Sequence, residues 1–264
     1  MTLVKKIVRY VLKRFGFFEI STKKYDIYNK HFDLALNYYK SYLLCNLERL
    51  TDSEYLQYLE IRFGGYITDV KATITSETVS RIYEGNHTGG DRMNVFYHDY
   101  SSKYSEYLHP LKDSTNSINL LEIGILNGTG LAIWDTYFSN KQLFGFDYDL
   151  GNFENNKMNL ISLGAFKNEL PKLRFFDQFA DNSKTLKETF MDNKIDVVID
   201  DAFHSDESII NTFIEIQPYL NDSFIYFIED NRTAWKKLKI MFPQYNFDYN
   251  DNELTVVTKN FNNE

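Results

Sequence analysis

From Asn119 onward the chain alternates apolar runs with helical stretches, and after the last helix it closes on two strands in succession. The strand candidates are 119–125 (NLLEIGI), 142–149 (QLFGFDYD), 172–178 (KLRFFDQ), 196–201 (DVVIDD) and 223–230 (SFIYFIED). Helix candidates lie near 129–139, 157–166, 183–192, 207–220 and 233–242. Strands separated by helical crossovers pair in parallel, and a parallel sheet needs cover on both faces. The tail breaks the alternation: 245–251 and 253–260, joined through Asp-Asn, read as a hairpin at the sheet edge. The expected class is α/β, with a sheet of seven strands whose last pair is a hairpin.

Ahead of this the pattern differs. Residues 1–80 show helical periodicity, clearest in 25–50 and 53–61, until Gly64-Gly65 interrupts it. The expected organisation is a helical N-terminal region over 1–80, serving as an oligomer interface or a lid, followed by a ligand-binding domain over 81–264.

Composition narrows the function classes. The 43% apolar and 25% charged content is that of a globular chain able to bury a core. Cys45 is the single cysteine, so there is no internal disulfide framework, which suits a reducing cytoplasm. A net charge of −8 argues against a broad nucleic-acid surface. Within residues 1–24, seven basic side chains against Glu19 alone leave +6, so the rest of the chain carries −14. The apolar positions Leu3, Ile7, Val8, Val11, Leu12 and Phe15 have helical spacing. Lys and Arg interrupt them too often for a signal peptide, and no apolar run is long enough for a transmembrane helix. Two readings of residues 1–16 stand: a terminal helix packed on its own domain or a sister subunit, and an interfacial helix on the inner membrane. The first is the simpler.

Chemistry concentrates at the strand ends. Parallel neighbours put their carboxyl ends on one edge of the sheet, where such folds bind ligands. One strand ends in Asp200-Asp201, with His204 just beyond, and the next in Glu229-Asp230. Four carboxylates and an imidazole make an oxygen-rich site for a hard divalent cation with a base beside it. Upstream, LLEIGILNGTGLAIW opens a strand into a helix through glycines, which lets backbone N–H groups approach a ligand. It is not a G-x-G-x-x-G fingerprint, because Leu126 and Thr129 stand at the second and third glycine positions, and no Walker lysine follows. Glu122, Gly124, Asn127 and Gly128 are the candidate cofactor contacts here. Asp147, with Asp149 second, is placed to accept a ribose diol, and Asp177-Gln178 to read an adenine edge. Acids at strand ends also cap helices, the plain alternative for each of them taken singly. Ser205-Asp206 reads as such a cap, and His31, His87 and His109 as surface or capping residues.

These segments resemble class I S-adenosylmethionine-dependent methyltransferases, and among them the metal-dependent sugar O-methyltransferases of the mycinamicin/macrocin (macrolide) type. The matching residues are the glycine turn with Leu126, the run IDDAFH, the paired acids of IED and, more loosely, residues 84–107. In that last stretch the family carries Thr-Asp-Lys where this chain reads Thr88-Gly89-Gly90-Asp91-Arg92, which leaves the roles of Asp91 and His98 open. The resemblance spans roughly residues 84–264. It implies a Rossmann-like class I methyltransferase sheet, S-adenosylmethionine as cofactor, and Mg²⁺ or Mn²⁺ on Asp201, Glu229 and Asp230. It further implies His204 as general base, with Asp200 orienting the site or touching the cofactor.

The expected activity is methylation of a sugar hydroxyl by a cytoplasmic homo-oligomer. The substrate would be a small sugar, nucleotide-linked or part of a bacterial surface (capsular) polysaccharide. The abundance of Tyr, Phe, Asn, Lys and Ile suggests an AT-rich genome and favours that acceptor over a macrolide. Rival readings are methylation of a catechol or other vicinal diol, and a relative with a hydroxylase or binding role. A nucleic-acid substrate is disfavoured by the charge.

Overall fold

The computed structural model describes residues 37–64, 71–74, 81–84, 92–95, 98–191 and 193–259. The basic stretch 1–16, His31, His87, and Thr88 to Asp91 of the departing motif lie outside these residues. The chain divides into two compact units, Met1–Ile61 with Gly65–Ser101, and Arg62–Gly64 with Ser102–Glu264.

In the first unit, residues 37–45 form helix α1, and α2 (Asp52–Phe63) begins there. Tyr39, Leu43 and Val95 share a small apolar cluster. Buried polar groups are matched: Tyr39 Oη donates to Gln57 Oε1 (2.6 Å), and Gln57 Nε2 donates to Ser101 Oγ (2.8 Å). The unit also holds an antiparallel pair, β1 (Lys71–Ile74) and β2 (Arg81–Glu84). A purely helical 1–80 is therefore corrected, since a boundary at 80/81 would separate strands that pair with each other. Residues 70–82 are rich in Val, Ile and Thr, whose branched side chains favour extended chain. A run this short shows little period of its own.

In the second unit, the helices are α3 (Ser101–Leu108, from Ser102 in this unit), α4 (Thr129–Tyr137), α5 (Gly151–Ser162), α6 (Ser183–Phe190), α7 (Asp206–Ile216) and α8 (Ala234–Met241). The strands are β3 (Ile118–Ile123), β4 (Lys141–Asp147), β5 (Lys172–Phe175), β6 (Ile195–Asp200), β7 (Leu220–Ile228), β8 (Asn246–Tyr249) and β9 (Thr255–Thr258). They form one sheet in the order β5-β4-β3-β6-β7-β9-β8. Every pair from β5 to β7 is parallel, and β9 runs antiparallel between β7 and β8. All seven strands expected from sequence are present. The central strands are buried on both faces, which is why they read as continuous apolar runs rather than alternating ones. One face packs Leu121, Phe146, Val198 and Tyr226 against Leu186, Phe190, Phe213 and Leu238 of α6, α7 and α8. On the other, Tyr104 of α3 stacks on Phe227 and lies against Trp134 of α4.

One helix is shifted from expectation. α5 starts at Gly151 instead of near 157, because Asp149 Oδ1 accepts the Gly151 N–H (2.8 Å) and folds the chain into a helix at once.

At the far edge, Asp248 of β8 accepts from Lys103 Nζ (2.7 Å) and Tyr107 Oη (2.8 Å), both on α3. Burial pushes the Asp248 carboxyl up, but these two hydrogen bonds outweigh it and hold the group below the usual carboxylate range. The linked stability is therefore present above the unfolded pKa and is lost as pH falls through the folded one. Replacing Asp248 by Asn is expected to cost about 1 kcal/mol at pH 7, solvent screening keeping it small. Urea titrations should show the gap between parent and variant closing in acid below the ordinary carboxylate range.

Candidate active site at the carboxyl edge

The connections leaving β3 and β6 run in opposite directions, so their carboxyl ends border the crevice at the sheet's switch point. Register brings the sequence signals together there. Ile123 pairs with Asp200, and Asp200 with Ile228. Asp201 N donates to Ile123 O (2.9 Å) and Glu229 N to Asp200 O (3.0 Å). The glycine turn, the Asp200-Asp201 end and the Glu229-Asp230 end are thus three adjacent lips of one crevice.

The glycine turn owes its shape to close approach. Gly124 has φ +82°, and a Cβ there would lie 2.2 Å from the Asp201 carbonyl oxygen. Gly128, at φ +78°, leads into α4, and a Cβ there would meet the Phe153 ring at 2.3 Å. Between them Leu126 takes φ +43°, a left-handed conformation without glycine's freedom. Its N–H is held by Asp147 Oδ2 at 3.0 Å. Gly124→Ala, which drives a methyl into the loop bearing Asp201, is expected to destabilise the protein by about 3 kcal/mol or more. Thermal denaturation measures this directly, and an unchanged melting temperature would show that the lips are not in contact.

Around the turn, Glu122 is buried, and the Asn127 carbonyl accepts from Asn156 Nδ2 (2.9 Å). Asp147 uses Oδ2 on Leu126 N and Oδ1 on Asp149 N (2.9 Å), and each oxygen keeps a further lone pair for a hydroxyl. Asp149 is exposed and caps Gly151, the bland role open to it from sequence. Asp177 Oδ1 accepts from Phe179 N (2.9 Å) in a local turn.

Gln178 departs from its expected place as a reader of adenine. It is 7% exposed and faces inward. Its Nε2 donates to Asp200 Oδ1 (3.0 Å) and Thr212 Oγ1 (2.9 Å), and its Oε1 accepts from Phe203 N (2.9 Å). Both amide hydrogens are spent inside the protein. Asp200 likewise points inward, its second oxygen accepting from Tyr226 Oη at 3.1 Å. Burial pushes the Asp200 carboxyl up to about 7, against the stabilising Tyr226 hydroxyl and the His204 imidazole. Gln178 and Asp200 brace the crevice from beneath. Sequence reasoning did not single out Tyr226, which sits in an apolar strand, or Thr212, which sits in an amphipathic helix; neither stands out from the core pattern.

Three groups face one another at the surface of the crevice. Asp201, His204 and Asp230 each bring a ligand atom within 4.8 Å of the others, and all three are partly exposed. His204 Nε2 lies 3.8 Å from Asp201 Oδ1. Its Nδ1 is buried, with no hydrogen-bond partner among the described residues. Two carboxylates and an imidazole at this separation suit a divalent cation of the Mg²⁺–Mn²⁺ kind, the imidazole adding affinity for the softer of them.

Glu229 is not one of the three. It is buried, and its carboxylate accepts from Tyr104 Oη, inside the packing of α3 on β7. Of the expected metal set Asp201, Glu229 and Asp230, the two partly exposed acids Asp201 and Asp230 lie together with His204, and Glu229 is turned away onto Tyr104. Asp230 at φ +54° and His204 at φ +25° are both left-handed, at about 1–3 kcal/mol each, and such strain concentrates at functional sites.

No family model matches the chain. Over 181 residues it is 24% identical to an 8-demethyl-8-alpha-L-rhamnosyl tetracenomycin-C 2'-O-methyltransferase of Streptomyces olivaceus, covering 64% of this chain and 40% of that protein. In structure it is similar to the MycE methyltransferase of the mycinamycin biosynthetic pathway, solved in complex with Mg and SAH. There the TM-score is 0.50 at 15% identity, over 66% of this chain and 52% of that one. The chain thus spans about half the length, or less, of these relatives. The seven-stranded sheet with its reversed last strand is the class I methyltransferase fold.

Proposed function

We propose that the chain is an S-adenosylmethionine- and divalent-metal-dependent O-methyltransferase acting on a sugar hydroxyl. The observation that carries this reading is the meeting of Asp201, His204 and Asp230 at the adjoining ends of β6 and β7, beside the glycine turn. The relatives support it: one is a rhamnosyl 2'-O-methyltransferase, the other a structure holding Mg and SAH.

The chain's own residues divide the work. Gly124, Asn127 and Gly128 let backbone groups approach the cofactor, and Asp147 accepts its ribose hydroxyls, with Glu122, Asp149 and Asp177 on the same rim. Asp201 and Asp230 hold the cation, which when bound lowers the pKa of a sugar hydroxyl and fixes its direction. His204 would take the hydroxyl proton, with S-adenosylmethionine, when bound, supplying the methyl group to the oxygen. Proton transfer of this kind contributes about 10²–10⁴-fold. The acceptor we favour is a nucleotide-linked or surface-polysaccharide sugar, an assignment supported by composition alone. No helix among the described residues is long and apolar enough to cross a membrane. Membrane contact through residues 1–16 and self-association belong to the proposal.

Calorimetry with S-adenosylhomocysteine, with and without Mg²⁺ and with NAD⁺ as control, tests the cofactor. Micromolar binding of S-adenosylhomocysteine and none of NAD⁺ is expected, and the absence of both would remove the reading. A panel of nucleotide sugars and catechols then tests the acceptor. Turnover on catechols alone would reject the sugar.

A further inference from the structure

Asn231 follows the Asp230 loop and is 7% exposed. Its carboxamide is divided between two jobs. Oδ1 accepts from Thr233 N (2.8 Å) and Ala234 N (2.7 Å), satisfying the first turn of α8. Nδ2 crosses to the neighbouring loop, donating to the His204 carbonyl (2.9 Å) and to Asp206 Oδ1 (3.2 Å). Asp206 is the first residue of α7, and it also takes Thr233 Oγ1 (2.6 Å) and Lys237 Nζ (2.9 Å) from the α8 side. The Asn231 backbone N–H is fixed by Glu253 O at 3.1 Å.

One buried side chain therefore ties the loop carrying Asp201 and His204 to the loop carrying Asp230. Each of these loops holds a site residue, His204 or Asp230, in a left-handed backbone conformation. Strained conformations persist only where their surroundings over-determine them. A carboxamide suits the place, since it needs an acceptor toward α8 and two donors toward a carbonyl and a carboxylate. Asp in its place would set a second carboxylate against Asp206. Ser would keep the cap and fall short of the opposite loop.

We infer that Asn231 is a positioning residue, setting the spacing of the Asp201–His204 loop from Asp230 and hence the cation affinity of the site. This rests on the metal-dependent reading above. Partners of this kind behind a metal site are worth about 10–100-fold in metal affinity.

The test is Mn²⁺ calorimetry on the parent chain and on Asn231→Ser, with S-adenosylhomocysteine binding and melting temperature measured alongside. The expected result is Mn²⁺ affinity about 10–100-fold weaker in Asn231→Ser, with S-adenosylhomocysteine affinity unchanged and melting lowered by only a few degrees. A variant that binds Mn²⁺ like the parent would reduce Asn231 to a helix cap and overturn the inference. If Asn231→Ser does not fold, Asn231→Asp, isosteric and still able to cap, takes its place under the same criterion. Failure of both to fold makes the residue a determinant of the fold and also overturns the inference. A parent chain that binds no Mn²⁺ is a different outcome: it removes the metal reading itself, and this inference with it.

Discussion

Asp201→Asn and Asp230→Asn are each expected to abolish measurable Mn²⁺ binding and to lower methyl transfer by about 10²-fold or more. A bound divalent ion supplies several kcal/mol at the reacting oxygen, and each 1.4 kcal/mol is about tenfold in rate. The two carboxylates come from adjacent strand ends and meet at the crevice with no other acid among the described residues in the cluster, so neither can substitute for the other. Both side chains are partly exposed, so the neutral amide should fold normally and leave S-adenosylhomocysteine binding intact. Glu229→Gln provides the contrast. It alters a buried carboxylate accepting from Tyr104, and its main effect should be on stability, read by thermal denaturation, not on Mn²⁺ affinity. Mn²⁺ binding that survives Asp201→Asn and Asp230→Asn but is lost in Glu229→Gln would return Glu229 to the metal and sink the arrangement argued here.

His204→Ala carries the second large effect, a fall in turnover of about 10²–10⁴-fold. The position has φ +25°, so His204→Asn, which tolerates left-handed backbone better, controls for strain. Neither Ala nor Asn accepts a proton near neutral pH. The informative comparison sets turnover beside Mn²⁺ affinity. If both variants lose turnover while holding Mn²⁺ within a few-fold of the parent, His204 is the base. If metal affinity falls as steeply as turnover, the imidazole is a ligand, and the proton must leave by another route. Unchanged turnover in both would dismiss His204 from the chemistry.

Much of this arrangement was legible before any coordinates. Apolar runs ending in Asp200-Asp201 and Glu229-Asp230, each led into by a helix, must lie parallel, so their acids share an edge. That inference needs only the period of the pattern and the geometry of crossovers. The glycine turn was equally legible, because close backbone approach at Gly124 excludes any side chain. The β1–β2 pair was not, since four-residue strands carry too little period to stand out from a helical background. Nor was the role of Asn231, which reads as an ordinary loop residue until the His204 carbonyl is found beside it.

Sequence alone thus determined the α/β class, the positions of the seven strands along the chain and the edge on which the acids gather, because local periodicity and chain connectivity control these. Only the tertiary structure decided which acids face the crevice. Glu229 and Asp230 are neighbours in the chain, yet one is buried on Tyr104 and the other joins Asp201 and His204. Gln178 and Asp200 look like site residues in the sequence and are turned into the core by Thr212 and Tyr226. The direction of a side chain at a strand end depends on a single backbone rotation, here left-handed at Asp230. That rotation is held through the next residue, Asn231, by long-range bonds to Glu253, Asp206 and His204. Those partners stand 22 to 27 residues from Asn231 in the chain, a separation no local pattern records.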